Sequence, residues 1–316
     1  MPFHELLDEA EQEERDDVKW KRSKLRAMLL GFRNDLQQKG HLANTVKAYT
    51  SRVRTVYEEG FDIEIGRMPK INQKNVKKPH PISYNDLPDK ELLRHILKMV
   101  NHLMKAIILF MTSSGCAKRE TLNITVQDFI DATYDYHHKD NIEDVIEVLH
   151  GRDDVVPSWR LRCQKTNKYY TTFSSPESTM EIIHYLVISE RELESSSPLF
   201  NITSTHLNNT FGKINNKLGL GKAGAYNRFR SHMLRKFHAS QLYNDGLGMD
   251  EIDELQGRGK DQTRTSYFME NPLRLREKYI DHMSAVTISL DVEKLTVKSP
   301  EFIHMEMENR EYKSKL

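Results

Sequence analysis

The sequence predicts a mainly α protein with a small β-meander, made of a helical N-terminal unit and a larger, mostly helical second unit. Three observations carry this. Apolar residues recur at spacings of three and four through most of the chain, β-branched and aromatic runs flank a turn signal only near its middle, and a segment rich in Pro and Lys separates two helical regions.

In the first region, Leu25, Met28, Leu29, Phe32 and Leu36 predict one buried helical face, with Gly40 ending the helix. Asn44 and Thr45 are expected to cap a second helix that buries Val46, Tyr49, Val53, Val56 and Tyr57. The acidic start is read as a low-complexity segment, and the first unit begins at residue 24. Residues 71–83, INQKNVKKPHPIS, carry Pro79 and Pro81 and no acid, and read as a linker. The expected organisation is an N-terminal helical domain over 1–76, a basic linker over 77–85, a larger domain over 86–290 and a tail over 291–316.

The larger domain opens with turn and cap signals at Asn85-Asp86 and Pro88-Asp89. Leu92, Leu93, Ile96, Leu97, Val100, Leu103, Met104, Ile107 and Ile108 then form the widest apolar stripe in the chain, so these helices lie at its centre. Residues 145–173 read as the β-meander, with a hairpin turn at Thr166-Asn167. Helical patterns resume at Pro176-Glu177 and run to about Met283, broken at Gly219–Gly224 and Gly246–Gly248.

Composition narrows the function. The longest apolar run, Ala106 to Met111, has six residues, far short of the roughly 20 that cross a bilayer. The first 20 residues are acidic and resemble neither a secretory signal nor a transit peptide, so a cytoplasmic location with no membrane partner is expected. Two cysteines, Cys116 and Cys163, lack CxxC spacing, and neither metal nor cofactor is expected. The net charge of +1 hides segregation. Phe211 to Gln241 contain seven Lys/Arg and no acid, whereas residues 5–17 contain eight acids and one arginine. A local basic surface follows, suited to a polyanion.

The chemistry concentrates in 231–268. His232 and Arg235 lie three apart, on one face of a helix, and can converge on a single anion. Arg258 follows Gly257, and Tyr267 comes nine residues later. Alone, a His-x-x-Arg pair arises by chance in many helices. The series His232-Met-Leu-Arg235, Leu255-Gln-Gly257-Arg258 and Tyr267, however, resembles the second box of the tyrosine recombinase and phage integrase family. Upstream, SSGCAKRETLNITVQDF (113–129) resembles the family's first box, with Gly115, Glu120, Leu122, Ile124 and Asp128 in register. Gln164-Lys165-Thr166-Asn167 resembles its β-hairpin lysine segment, and the N-terminal helix pair with its basic linker is similar to its core-binding domain. The wording YFMENPLRLREKYIDHM also looks like integrases of archaeal mobile elements. The resemblance spans about residues 24–290.

What the resemblance implies is a site-specific recombinase, or integrase, that cleaves and rejoins DNA through a 3′-phosphotyrosyl intermediate at Tyr267. It is a strand transferase working without metal. Arg235, Arg258 and a first-box cation would stabilise charge on the phosphate, Lys165 would protonate the leaving oxygen, and His232 would assist the tyrosine. Tyr279, twelve residues after Tyr267, and Tyr243 both read as packed helix residues. His238 reads as a helix-packing group or a contact to the DNA backbone.

The expected partner is double-stranded DNA at an attachment site, clamped by the two domains and bound by a homotetramer on two duplexes. Lys74, Lys77, Lys78, Lys213, Lys217, Lys222, Arg228 and Arg230 are the expected DNA-binding residues. The tail's Phe302, Ile303, Met305 and Met307 would pack on a neighbouring protomer, unless they dock on their own domain or stay unfolded. One departure matters: the family's first-box arginine falls on Ala117. Arg119 is the favoured substitute, Lys118 the weaker one, and outright loss would leave a catalytically impaired DNA-binding protein on the same fold. A type IB topoisomerase-like enzyme is the other alternative.

Overall fold

The structure is a computed structural model, and it describes residues 3–70, 80–164, 167–258 and 271–289. By compactness the chain divides between Pro81 and Ile82.

The first unit has three helices: α1 (Phe3–Arg15), α2 (Lys24–Gln38) and α3 (Ala43–Gly60). Helix α1 was not expected from the acidic start. It holds because Ala10 and Leu7 pack against Leu25 and Leu29, while Glu13 accepts from the Ser23 hydroxyl and the Lys24 N–H, both at 2.6 Å, at the head of α2. Ser23 caps α2 by accepting from the Arg26 N–H, and Gly40, at φ 75°, follows its end. The buried stripe of α2 is Leu25, Leu29, Arg33 and Leu36, whereas Phe32, expected inside, is 37% exposed. Arg33 sits on the i, i+4 row that Phe32 misses, and its Nη1 donates to the Pro69 carbonyl at 2.6 Å. Helix α3 begins at Ala43, after Leu42, rather than behind an Asn44-Thr45 cap. It buries Val46 and Tyr57 but leaves Tyr49 and Val56 exposed, because the narrow stripe facing two partners does not reach them.

The second unit is built around α5 (His102–Ser114), preceded by α4 (Lys90–Leu97), which Asp89 caps. From Ala106 to Ser114 every α5 residue is buried, as expected for the centre of the domain. Around it lie α6 (Lys118–Leu122), α7 (Val126–Thr133), α8 (Ile142–Leu149), α9 (Pro176–Ile188), α10 (Ser204–Lys217), α11 (Ser231–Asn244), α12 (Met249–Leu255) and α13 (Pro272–His282).

The mainly α class holds, but the expected meander shrinks. Residues 145–149, read as strand, belong to α8: Asn141 accepts from the Asp144 N–H, and Ile142, Val145 and Leu149 bury one helical face. Periodicity outweighs β-branched propensity here. What remains is an antiparallel hairpin, β1 (Ser158–Arg162) with β2 (Tyr169–Phe173), pairing Trp159 with Thr172 and Leu161 with Tyr170. A second ribbon, β3 (Lys222–Ala223) with β4 (Tyr226–Asn227), lies where only a glycine break was expected.

Trp159 of β1 is wholly buried, stacks edge-on against Phe110 of α5 at 5.1 Å and donates from Nε1 to Ser174 Oγ. Phe110→Ala should therefore cost about 3–5 kcal/mol. Urea unfolding of wild type and variant measures this, and a loss below about 1 kcal/mol would contradict the packing described.

Candidate functional site

Helix α5 ends inside the protein, where its last carbonyls cannot reach water. Gly115, at φ 67°, turns the chain out and donates its N–H to the Met111 carbonyl. Three side chains from three other elements take the following carbonyls. The Tyr279 hydroxyl on α13 donates to Ser113 at 2.9 Å, the Thr172 hydroxyl on β2 to Ser114 at 2.8 Å, and Nη1 of Arg235 on α11 to Gly115 at 2.8 Å. A Cβ at position 115 would stand 2.5 Å from Nδ1 of His238, so glycine is required both for its dihedral and for its bareness.

Arg235 is held on a second side as well. Its Nη2 donates to the Gln256 carbonyl at 2.5 Å, and Nη1 lies 3.6 Å from Oε2 of Glu120. The two carbonyls use two of the five N–H donors of a guanidinium, so the fork is fixed in place, and the side chain keeps 15% exposure. Glu120 is buried, and its Oε2 accepts from the Ala117 N–H at 2.9 Å and from the Tyr170 hydroxyl at 3.0 Å.

The Tyr170 ring in turn lies against Gly257. A Cβ there would come within 2.5 Å of a ring carbon, and Gly257 has φ 58°. One buried network thus joins the first box (Gly115, Ala117, Glu120), the hairpin (Tyr170, Thr172) and the second box (Arg235, Gln256, Gly257). Tyr170, Thr172 and Gln256 were not singled out from the sequence. The sequence YYTTF carries no apolar alternation that marks Tyr170 and Thr172, which the structure places together on the inward side of β2. Burial pushes the Cys116 thiol up to about 11, with its sulfur 3.5 Å from the Tyr170 oxygen, so it is an uncharged packing group.

The other expected residues divide. His232, one turn before Arg235, is exposed at the surface, yet partial burial and the cations Lys236, Arg230, Arg235 and Arg258 hold it below the ordinary histidine value. It is neutral at pH 7 in a positive field. Arg258 is part-exposed and pairs with Asp253 at 3.0 Å. In the first box, Ala117 offers no charge, Lys118 donates to Asn208 at 3.0 Å, and Arg119 is exposed with no ion pair among the described residues. His238 is buried, close to Gln256 Nε2 at 3.0 Å, and burial drives it down to about 3, the helix-packing role. Tyr279 is buried, and burial raises its hydroxyl well above 10. Tyr243, expected in the core, is 57% exposed, while its neighbour Leu242 takes the inward position on α11.

Of the cations expected to meet DNA, Lys213 and Lys217 on α10 and Lys222 on β3 are exposed. Arg228 instead spends its guanidinium on the carbonyls of Asn85 and Asp86, at 2.6 and 3.1 Å. Arg230 donates to the Asn227 carbonyl and lies over the Tyr226 ring. Tyr267, Lys165, Lys74, Lys77, Lys78 and the tail 291–316 lie outside the described residues. Among the described residues no helix is long and apolar enough to cross a membrane.

The second unit is thus a mainly helical domain whose central helix end is capped by a largely buried arginine, beside an exposed histidine and a short β-hairpin. The chain matches no protein-family model and no curated protein sequence. Among solved structures it is similar to the XerH site-specific recombinase bound to palindromic difH substrate in a post-cleavage complex (TM-score 0.51, 16% identity, 87% of this chain and 75% of that one). It also resembles the Tn1549 transposon integrase in complex with transposon right end DNA (TM-score 0.49, 11% identity, 81% and 84% covered) and the XerA recombinase (TM-score 0.39, 17% identity, 81% and 83% covered). The fold of this chain is that of the tyrosine recombinases.

Two predictions concern buried polar groups of the second unit: Tyr170 in this network, and His238 together with His137, a buried histidine whose Nε2 lies 3.1 Å from the Thr133 hydroxyl at the end of α7. Tyr170→Phe removes one donor from a buried carboxylate and should cost about 1–3 kcal/mol in urea unfolding; an unchanged midpoint would mean that Glu120 does not depend on it. His238, near 3, and His137, driven by burial to about 4, both stay neutral in the folded chain while an unfolded histidine takes up a proton near 6.5. The unfolded state therefore binds more protons, and the stability present above pH 6.5 should fall by up to about 1.4 kcal/mol per pH unit for each histidine as pH drops toward 4. Denaturation at a series of pH values reads this slope directly, and a flat profile would mean these imidazoles are not buried neutral.

Proposed function

We propose that the chain is a site-specific DNA recombinase that breaks and rejoins strands through Tyr267. The observation that carries this reading is the fixed, partly exposed Arg235 fork, tied to both boxes and flanked by neutral His232 and by Arg258. The solved structure most useful for comparison is of a recombinase bound to its DNA substrate, and the fold is shared.

In the reaction, the Tyr267 hydroxyl attacks a backbone phosphorus, a P–Oη bond forms and the P–O5′ bond breaks. The tyrosine proton passes toward a base, for which neutral His232 is suited, and Lys165 gives its proton to the departing O5′. Arg235 and Arg258 balance the extra negative charge on the non-bridging oxygens, with a bidentate fork that a lysine would not supply. A 5′ hydroxyl of a second strand then attacks the phosphotyrosine, reversing each step, so the bond energy is conserved without a nucleotide cofactor. Lys213, Lys217 and Lys222 suit contacts to backbone phosphates. Assembly as a homotetramer on two duplexes, and origin in an archaeal mobile element, belong to the same reading.

Ala117 favours one rival, a DNA-binding protein on this fold that has lost strand cleavage; the topoisomerase-like alternative would cut without pairing two sites. The test is a nicked suicide duplex carrying the element's attachment site, followed by denaturing electrophoresis and peptide mapping. Wild type should form a covalent adduct at Tyr267, Tyr267→Phe should bind without one, and Arg235→Ala should lower its yield by at least about a hundredfold. Arg119→Ala should cost more than Lys118→Ala. Binding without an adduct at any pH would establish the inactive DNA-binding protein instead.

A further inference from the structure

Away from this network, at the opposite end of α5, three metal-ligating side chains converge. His102 stands in the first turn of α5, and Glu181 and His184 lie three apart on α9, so both of the latter leave α9 on one side. Nδ1 of His102 is 2.6 Å from Oε1 of Glu181. The His102 and His184 rings stand 5.7 Å apart at 84°, and one donor atom from each of the three residues lies within 4.8 Å of the other two.

A histidine–glutamate pair alone would tie the two helices together. It does not account for the third donor, His184, which is exposed and still turns its ring to the pair. The geometry points to a divalent transition-metal site formed by His102, Glu181 and His184, of the type that takes zinc. Two imidazole nitrogens and one carboxylate oxygen are donors suited to zinc, which bonds each at about 2.0–2.2 Å, placing ligand atoms roughly 3.3 Å apart in a tetrahedron. An ion would replace the 2.6 Å His102–Glu181 hydrogen bond, side-chain rotations opening that contact and bringing the other donors, now within 4.8 Å, to the same spacing. Three protein ligands leave a fourth position for water, and the part-exposed setting lets the ion enter from solvent.

The ion's role would be to fasten α5 to α9. The 13 residues of α5 span about 20 Å, which separates this cluster from the Arg235 end of the helix, so the metal is a structural or regulatory staple rather than a participant in strand transfer. The proposal does not depend on the recombinase reading.

Calorimetric titration of zinc into the chelator-treated full-length chain tests it, with cobalt(II) absorption as the second readout. Wild type should bind one zinc tightly, melt higher with zinc, and give the intense visible bands of four-coordinate cobalt. His184→Ala should lose at least about tenfold in zinc affinity together with the melting shift and the cobalt bands. Its side chain is exposed, so it should melt as wild type does without metal. Glu181→Gln, which keeps shape but not charge, should also weaken binding, and His282→Ala, whose ring pairs with Asp245 elsewhere, should not. Absence of saturable zinc binding, equal affinity in wild type and His184→Ala, or equal loss in His282→Ala would each overturn the site.

Discussion

The structure turns on a helix that ends in the dark. The final carbonyls of α5 carry the negative end of its dipole into the interior, where leaving any of them without a donor would cost more than the net worth of a hydrogen bond. Tyr279, Thr172 and Arg235 answer that need from a late helix, a strand and a second-box helix. The same three contacts that satisfy the backbone fix where α13, the hairpin and α11 stand. Arg235 is the one cation among them, placed where the dipole is most negative.

This makes the arginine's position a property of the fold more than of a loop. Glu120 lies close enough to draw on its charge without neutralising both edges of the fork, and Tyr170 and the Ala117 N–H hold that carboxylate still. The Arg235 guanidinium is thus ordered by the fold itself, held by two backbone carbonyls with no ligand needed to place it. Gly115 and Gly257 are what allow the two boxes to close on His238 and Tyr170, since neither site has room for a Cβ. Position 117 adds no charge, and the lowered titration of His232 comes first from burial and then from Lys236, Arg230, Arg235 and Arg258.

Much of the second unit was legible from periodicity because its helices are amphipathic on a large core: α4, α5 and α9 and the cap at Asp89 came out as read. The misreadings share a cause. Residues 145–149 look like strand by residue type but are helical by spacing, and Phe32 and Tyr243 are apolar residues one step off the inward row, with Arg33 and Leu242 in the places expected of them. Residue type says what can be buried; the angle of 100° per residue and the neighbour on that side say what is.

By itself the sequence determined the class of fold, the order of the boxes, and the residues His232, Arg235 and Arg258 that share a motif, because these depend on short-range spacing along the chain. Only the tertiary structure decided that Arg235 is held by Gly115 and Gln256, that Tyr170 and Glu120 support it, that Arg228 is spent on Asn85 and Asp86, and that His102 meets Glu181 and His184. Those contacts join residues from 21 to 143 positions apart, and no local pattern records which distant carbonyl a helix end will find unsatisfied.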